Sequence, residues 1–456
     1  MERYLKRTEL PASSEDVFAW HERPGAFERL NPPFDPVEVV ERSGGLEVGS
    51  RTVIRAKVGP VSQQWIAEHT AYEKGRVFRD EMQSGPFDAW VHTHRFIPID
   101  GQRSLLEDEL DYRLPMGGLG ALFGAGYARQ KIGAAFDYRH ALIKADLERH
   151  ALARGAARLT VAITGASGLL AASLGPFLST GGHEVRPVKR SGDTLDRTAI
   201  DGADVVVHLA GAGVADERWT EKRKRLLVDS RVSYTRQLVE AIAAAKRRPK
   251  VLLSGSAIGV YGDRGDEVLD EQAAPGARAP TKAAFLAGLC SDWEAEALAA
   301  ERLGVRVALL RTGIVLTARG GALAKLLPPF RAGAGGATGP GTQWMSWISS
   351  EDVIGAFHHV MMNEAISGPV NVVAPNPVTS KDFARVLGSV LHRPAIAPLP
   401  SLALKVMFGE MAEGTILASQ RVKPGVLERT GFSFLHPGLE DALRFTLGLP
   451  PHSPPA

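Results

Sequence analysis

A few groups of residues in this chain have the types and spacing to do chemistry. Gly165-Ala166-Ser167-Gly168-Leu169-Leu170-Ala171 places glycine at the first and fourth positions and a small residue at the seventh. Glycine at 165 permits a tight turn, and glycine at 168 lets backbone approach a pyrophosphate with no Cβ in the way. Ala171 is small enough for a helix to pack on a strand. Lys189-Arg190-Ser191 offers a guanidinium that can grip a ribose 2′-phosphate through two contacts. Ser256 and Tyr261 offer hydroxyls that could polarise a carbonyl. His92 and His94, two apart, share one face of a strand. That spacing suits a metal, but no third ligand is evident, so the pair reads as a sheet face and no metal is expected. Cys290 is the single cysteine, which excludes an internal disulfide or a thiolate cluster; it reads as a small buried hydrophobe.

The glycine turn gains its meaning from the elements around it. Thr160 to Thr164 is a β-branched, apolar run that predicts a buried strand. Leu170, Leu174, Phe177 and Leu178 then repeat at helical spacing, Gly181-Gly182 ends that helix, and Glu184 to Val188 is a second strand. Strand, glycine turn, helix and strand in this order form a dinucleotide site, with the helix N-terminus offering unpaired N–H groups to the phosphates. Lys189-Arg190-Ser191 stands where a carboxylate would bind the ribose of NAD, so NADP is favoured and NAD is the lesser candidate. The other reading makes Arg190 a surface charge, with Asp193 or Asp196 folding back to the ribose. Asp204 to Gly213 supplies a third buried strand ending in small residues, among them Leu209, Ala210 and Gly211. The connection before it, from Ser191 to Ala203, is too short for a helix and a strand, so that unit is abbreviated. Val251 to Gly262 is expected to be a strand running into a polar turn, and Leu303 to Leu310 another strand.

The chain of 456 residues is long enough for two or more domains. Its 44% hydrophobic and 23% charged residues are those of a globular protein. The formal charge of +3 is small for this length and speaks against nucleic-acid binding. No apolar stretch would span a membrane and no leader is evident, so a cytoplasmic protein is expected; oligomerisation is left open.

Residues 1–150 have a different texture. A strand over 3–10 precedes two short helices, the first with Ser13 as its N-cap. Six strand-like runs between Pro36 and Tyr112 are separated by turn residues, as in an antiparallel sheet of hairpins. A long helix from about Gly126 to His150 closes the segment. This order resembles the helix-grip fold of the START-like superfamily, which includes polyketide cyclases and lipid carriers. The local match rests on Pro11, Phe18 and Trp20, on Gly85-Pro86-Phe87 with Trp90, His92 and His94, and on Leu114-Pro115-Met116-Gly117-Gly118. The resemblance implies an apolar cavity under the long helix; a packed domain without one is the alternative.

From residue 159 to about 448 the resemblance is to the extended short-chain dehydrogenase/reductases, and within them to the atypical, YfcH-like epimerase family. Gly165-x-x-Gly168-x-x-Ala171, His208-Leu-Ala-Gly211, Ser254-Gly-Ser256, Val260-Tyr261-Gly262 and Arg311-Thr312-Gly313 carry it, in order. It implies cofactor contacts at Gly165, Ala166, Ser167, Gly168, Leu169, Arg190, Leu209, Ala210, Gly211, Arg311, Thr312 and Gly313. It also implies Ser256, with Tyr261, at the substrate carbonyl. The chain departs from the family where ordinary members carry Tyr-x-x-x-Lys: aligned on Glu294, Leu286 and Cys290 fill those places. Lys282 lies near at the wrong spacing. Tyr127-x-x-x-Lys131 has the right spacing in the wrong domain and reads as coincidence.

The expected architecture is therefore an α/β Rossmann domain (a doubly wound parallel sheet) at 159–375 with a C-terminal helical substrate lobe at 376–448. An α+β helix-grip domain at 1–150 and a linker at 151–158 precede it, and a disordered tail at 449–456 follows. The glycine-dense stretch from Arg331 to Gly341 reads as a mobile loop near the cleft, lined by Gln343, Trp344 and Trp347, with Glu410 and Met411 facing it. The expected activity is NADP-dependent hydride transfer on a small or lipid-like substrate, which the first domain binds or presents. The alternative is a non-catalytic NADP-binding carrier or sensor, since the tyrosine and lysine are missing.

Overall fold

The computed structural model describes residues 1–58, 61–115, 117–153, 155–191, 194–276 and 284–451. The turn at Gly59-Pro60, Met116, Asp193, Lys282 and residues 452–456 lie outside the described residues. The chain divides into two compact units, one built mainly from residues 1–156 and the other mainly from 157–446.

The first unit opens with strand β1 (Glu2–Leu10) and helices α1 (Ser14–Glu22) and α2 (Ala26–Arg29). Ser13 caps α1, its side chain accepting from the Asp16 N–H. Strands β2 (Glu38–Ser43), β3 (Arg51–Val58), β4 (Val61–Glu73), β5 (Val77–Ser84), β6 (Ala89–Pro98) and β7 (Ser104–Arg113) follow as a meander. They form one antiparallel sheet in the order β1-β7-β6-β5-β4-β3-β2, with irregular register in β2–β3 and β4–β5 that bends it. Helix α3 (Gly117–Leu152) buries Ile132, Phe136, His140, Ile143 and Leu147, a spacing of three and four that makes one face. It begins nine residues before the Gly126 start read from the sequence, through a glycine-rich run. Extending a formed helix costs far less than nucleating one, so weak formers are carried along.

In the second unit, β8 (Thr160–Thr164) leads through the glycine turn to α4 (Ala171–Thr180) and β9 (Glu184–Val188). The abbreviated connection contains a short antiparallel pair, β10 (Arg190–Ser191) and β11 (Thr194–Leu195), before β12 (Val205–His208). Helices α5 (Glu221–Val228) and α6 (Tyr234–Ala244) are joined by a π-helical turn at Asp229–Ser233. Then come β13 (Val251–Ala257), β14 (Val268–Leu269), α7 (Ala284–Leu298), β15 (Arg306–Thr312), β16 (Ile314–Leu316), α8 (Gly321–Arg331), β17 (Trp344–Met345), β18 (Trp347–Ser349), α9 (Ser350–Met362) and β19 (Gly368–Val372).

The main sheet has the order β19-β15-β13-β12-β8-β9, parallel throughout. Both faces are covered, as a parallel sheet requires. Val161, Ile163, Val205, Val207, Leu253 and Leu310 pack with α4 and α9. Their alternates Ala162, Val206, Leu252, Val307 and Leu309 pack with α6 and α7. The chain runs outward from β8 to β9, then returns to the other side of β8 as β12. The strand order reverses there, and the carboxyl ends of β8 and β12 border the crevice where ligands bind in such sheets. Among the described residues no helix is long and apolar enough to cross a membrane.

The C-terminal part pairs β20 (Val378–Thr379) with β17 and β21 (Arg421–Val422) with β14. It adds α10 (Ser380–Val390), α11 (Ser401–Phe408), α12 (Gly425–Arg429) and α13 (Leu439–Thr446). The glycine-dense stretch after α8, read from the sequence as mobile, is tied down by backbone. Ala397 and Leu399 donate to the carbonyls of Gly335 and Ala337, and Gly339 donates to Leu399. A Cβ at Gly336 would lie 2.3 Å from the Ala397 oxygen, so glycine there serves close backbone approach.

Candidate functional site

The turn after β8 is built of bare backbone. Gly165 has φ +67, and a Cβ on it would lie 2.8 Å from the backbone of Ala210 at the end of β12. A Cβ on Gly168 would lie 3.0 Å from the Gly165 carbonyl oxygen. The Gly168 N–H donates to that same oxygen at 2.8 Å. Ser167, Gly168 and Leu169 are exposed, and so is Gly211 opposite. No side chain of this stretch is buried over the crest.

The strand ends beneath are locked by a buried line of hydrogen bonds. Thr164 Oγ1 lies 2.7 Å from His208 Nδ1, and His208 Nε2 lies 2.8 Å from Thr235 Oγ1. Thr164 Oγ1 also accepts from the N–H groups of Leu209 and Ala210. Burial, with Arg231 nearby, lowers the His208 imidazole to about 3, so His208 is a neutral spacer that holds Leu209 and Ala210 against Gly165.

Arg190 follows β9 on an exposed stretch, its guanidinium 4.9 Å from the Tyr234 ring centroid. Arg231, in the π-helical turn, was not singled out by sequence reasoning. Its buried guanidinium lies over Trp293 at 5.2 Å and within 3.2 Å of where a Gly211 Cβ would be. The π-helical insertion is a local irregularity of a kind often found at functional sites, and it puts a cation at the strand end.

Ser256, Glu294, Arg311 and Tyr261 form one buried network. Ser256 pairs with Arg311 across β13 and β15. The Ser256 hydroxyl donates to Glu294 Oε1 at 2.6 Å, and Arg311 grips both oxygens of Glu294 at 2.8 Å. Arg311 also donates to the Tyr261 hydroxyl at 3.0 Å, and that hydroxyl donates toward Asn371 Oδ1 at 2.7 Å. Tyr261 is fully buried; burial raises its phenol above the ordinary value, against the opposing pull of Arg311. The Arg311 side chain thus points into the protein, leaving only its backbone for a cofactor. Gly313 is pressed against Ser346, where a Cβ would lie 2.5 Å from the carbonyl oxygen. Thr312 turns its hydroxyl back to Leu310. Glu294 and Asn371 were missed as members of this group; Glu294 entered the sequence reading only as an alignment point.

Leu286 and Cys290 sit buried on α7 among Ile258, Val260 and Tyr261. Burial pushes the Cys290 thiol up to about 12, so it is no nucleophile. Gln343 donates to the carbonyls of Thr338 and Ile416, Trp344 to Asp266 and the buried Trp347 to Asn376. Their polar atoms are thus spent on contacts within the second unit. Met411 is buried, while Glu410 borders a recess of about 390 Å³ shared with Arg218, Trp219, Lys405, Phe408 and Glu413.

In the first unit, Tyr127 is exposed on α3 and Lys131 pairs with Asp35 at 3.0 Å, consistent with a surface role. His92 and His94 are buried beside Asp80 and Asp108. Burial opposes charge on His92, but Asp108 and Asp80 outweigh it and push it up to about 9. His94 is lowered to about 4, chiefly by burial.

Residues 161–373 match the NAD dependent epimerase/dehydratase family. Epimerase family protein Mb2239 of Mycobacterium bovis is 39% identical over 308 residues, covering 64% of this chain and 99% of that protein. The chain belongs to the epimerase family. Other members include YfhF of Bacillus subtilis, 34% identical over 301 residues, covering 62% of this chain and 97% of that protein. Among solved family structures, human SDR39U1 with NADPH has TM-score 0.58 and 30% identity, covering 63% of this chain and 98% of that one. The likeness extends over both units in a structure described as the nucleoside-diphosphate sugar epimerase of Corynebacterium glutamicum. Its TM-score is 0.79 and its identity 32%, covering 98% of this chain and 90% of that one. Residues 10–136 match the polyketide cyclase / dehydrase and lipid transport family, and 399–446 match a domain of unknown function. The extended short-chain dehydrogenase architecture and the helix-grip domain read from the sequence are both present.

Proposed function

We propose that the second unit is an NADP-dependent oxidoreductase or epimerase-type enzyme acting on a small or apolar substrate. The observation that carries this reading is the bare crest at 165–169, where a Cβ on either glycine would meet backbone. A dinucleotide fits such a cradle. Gly165, Ala166, Ser167, Gly168 and Leu169 would hold its pyrophosphate, with Leu209, Ala210 and Gly211 beneath. Arg190 would take the 2′-phosphate, and the backbone of Arg311, Thr312 and Gly313 would border the nicotinamide. When bound, the dinucleotide would supply the hydride acceptor or donor. Human SDR39U1 was crystallised with NADPH, which supports NADP over NAD.

Ser256 is the residue assigned to the substrate. The sequence reading has Ser256 and Tyr261 as donors to a substrate carbonyl, but their protons go to Glu294 and Asn371, so Ser256 is left to accept from the hydroxyl form of the substrate. Arg311 fixes Glu294, and Tyr261 fixes Arg311. Tyr261 therefore acts as a positioning residue in this proposal. The first unit is assigned the binding or presentation of a hydrophobic ligand, supported by its match to a family that includes lipid transport.

A second reading, a non-catalytic NADP-binding carrier or sensor, is favoured by Leu286 and Cys290, which have no readily exchanged proton. The test is to titrate the protein with NADPH and NADH, then follow bound NADPH against aldehydes, ketones and enones. Arg190→Ala should weaken NADPH at least about tenfold more than NADH, or about 1.4 kcal/mol; equal weakening overturns the cofactor choice. Turnover that falls in Ser256→Ala supports the enzyme. Tight NADPH binding with no turnover on the whole panel supports the carrier.

A further inference from the structure

We propose that the first unit holds a divalent first-row transition-metal ion at Asp80, His92 and His94. The site comes from strand register. Asp80 on β5 stands directly opposite His92 on β6, and His94 lies two residues further along the same face. Each offers one donor atom, and those atoms all lie within 4.8 Å of one another. Asp80 Oδ1 and His92 Nδ1 are 3.4 Å apart. A tetrahedral ion with bonds of about 2.0–2.1 Å sets its donors about 3.3–3.4 Å apart, so that edge already has the required length.

The groups behind the triad are arranged as a metal site needs. Asp108 on β7 stands opposite His94. Its Oδ1 lies 2.6 Å from His94 Nδ1 and 3.5 Å from His92 Nε2. Yet Asp108 Oδ1, His94 Nδ1 and His92 Nε2 are all buried without a hydrogen bond of acceptable geometry. Asp108 therefore stands behind both rings as an outer carboxylate. His140 on α3 secures the carboxylate from the other side, at 2.8 Å from Asp108 Oδ2, and its second nitrogen lies 2.9 Å from Thr8 Oγ1. An imidazole or carboxylate held by an outer partner is the usual support of a ligating group. Asp80 retains 19% side-chain exposure, which gives an ion a way in.

The donor set selects the class. Two imidazoles and a carboxylate suit zinc, iron, cobalt or nickel in the divalent state; magnesium and calcium prefer oxygen alone, and copper(I) prefers sulfur. The triad is independent of the nucleotide crest, so its test does not depend on the cofactor reading.

The untagged full-length chain, stripped with a chelator, is titrated with Co²⁺ alone. We expect one Co²⁺ per chain, visible ligand-field bands of nitrogen and oxygen donors, and displacement by Zn²⁺. His94→Gln and Asp80→Asn should abolish the bands with the circular dichroism unchanged. His140→Gln, an outer support, should weaken binding by about 10–100-fold while leaving the bands in place. Independently of any variant, Co²⁺ should perturb the NMR signals of the His92 and His94 rings before that of His208. Absence of bands in the wild-type chain overturns the proposal. So does a Co²⁺ affinity that both triad variants retain, or a perturbation that begins at histidines elsewhere.

Discussion

Glu294 is the residue on which the candidate site turns, because it joins a hydroxyl, a guanidinium and, through that guanidinium, a phenol. Its side chain and that of Arg311 are 8% and 6% exposed. Removing one partner of a buried ion pair leaves the other charge without compensation, a loss of about 3–5 kcal/mol. Glu294→Gln should therefore lower the free energy of unfolding by about that amount in urea, and Tyr261→Phe should lower it much less, since Arg311 keeps Glu294. Equal, small effects would show that the pair is solvated. His208 makes a second prediction, through pH. Its folded value of about 3 lies below the ordinary 6.5, so between these values the unfolded chain binds a proton that the folded chain refuses. Stability is then lost as pH falls below about 6.5, by up to about 1.4 kcal/mol per pH unit from this one group. His208→Asn should flatten that slope of stability against pH; an unchanged slope would sink the assignment. Neither residue was singled out as functional by the sequence. Ser256 and Arg311 were, but their partner Glu294 lies 38 and 17 positions away, and such contacts follow from packing, which local spacing does not encode.

At the scale of elements the sequence was far more readable. Buried parallel strands are continuous apolar runs, and Thr160–Thr164 and Val205–His208 announce themselves. The abbreviated connection after β9 was readable from length alone, and it contains the antiparallel β10–β11 pair. Features set by register were not readable. The sequence showed His92 and His94 on one face, but only the pairing of β5 and β7 against β6 brings Asp80 and Asp108 to them. The start of α3 was misplaced because glycine propensity is a local quantity and helix extension is not. The glycine turn is where element and residue meet, and it yields the third prediction. Gly165→Ala would force a side chain into a left-handed conformation and against Ala210 backbone at 2.8 Å. β8 and β12 would have to part at their carboxyl ends. Nucleotide binding should fall by at least about tenfold, beyond the loss in stability, which calorimetry with NADPH on the folded variant would measure. A variant that binds NADPH as the wild type does would show that the crest is not the phosphate site.

The whole chain is two units with separate interiors. One has Phe18, Phe78, Phe96, Leu106 and Ile143 at its core; the other has the two faces of a parallel sheet. A ligand stabilises only what it binds, by about 2.7 kcal/mol when present at a hundred times its dissociation constant. At about 2.1 cal/mol/K of unfolding entropy per residue, each kcal/mol raises the midpoint of a unit of about 290 residues by about 1.6 °C. Since the proposed dinucleotide touches residues of the second unit alone, saturating NADPH should raise that unit's thermal transition by about 4–5 °C. The transition of the first unit should stay where it is. Scanning calorimetry, with the His94→Gln variant marking which transition belongs to the first unit, separates the two. A shift of both transitions would show that the nucleotide binding is not confined to the second unit. A shift of the first transition alone would place the nucleotide in the helix-grip unit and overturn the assignment of the crest.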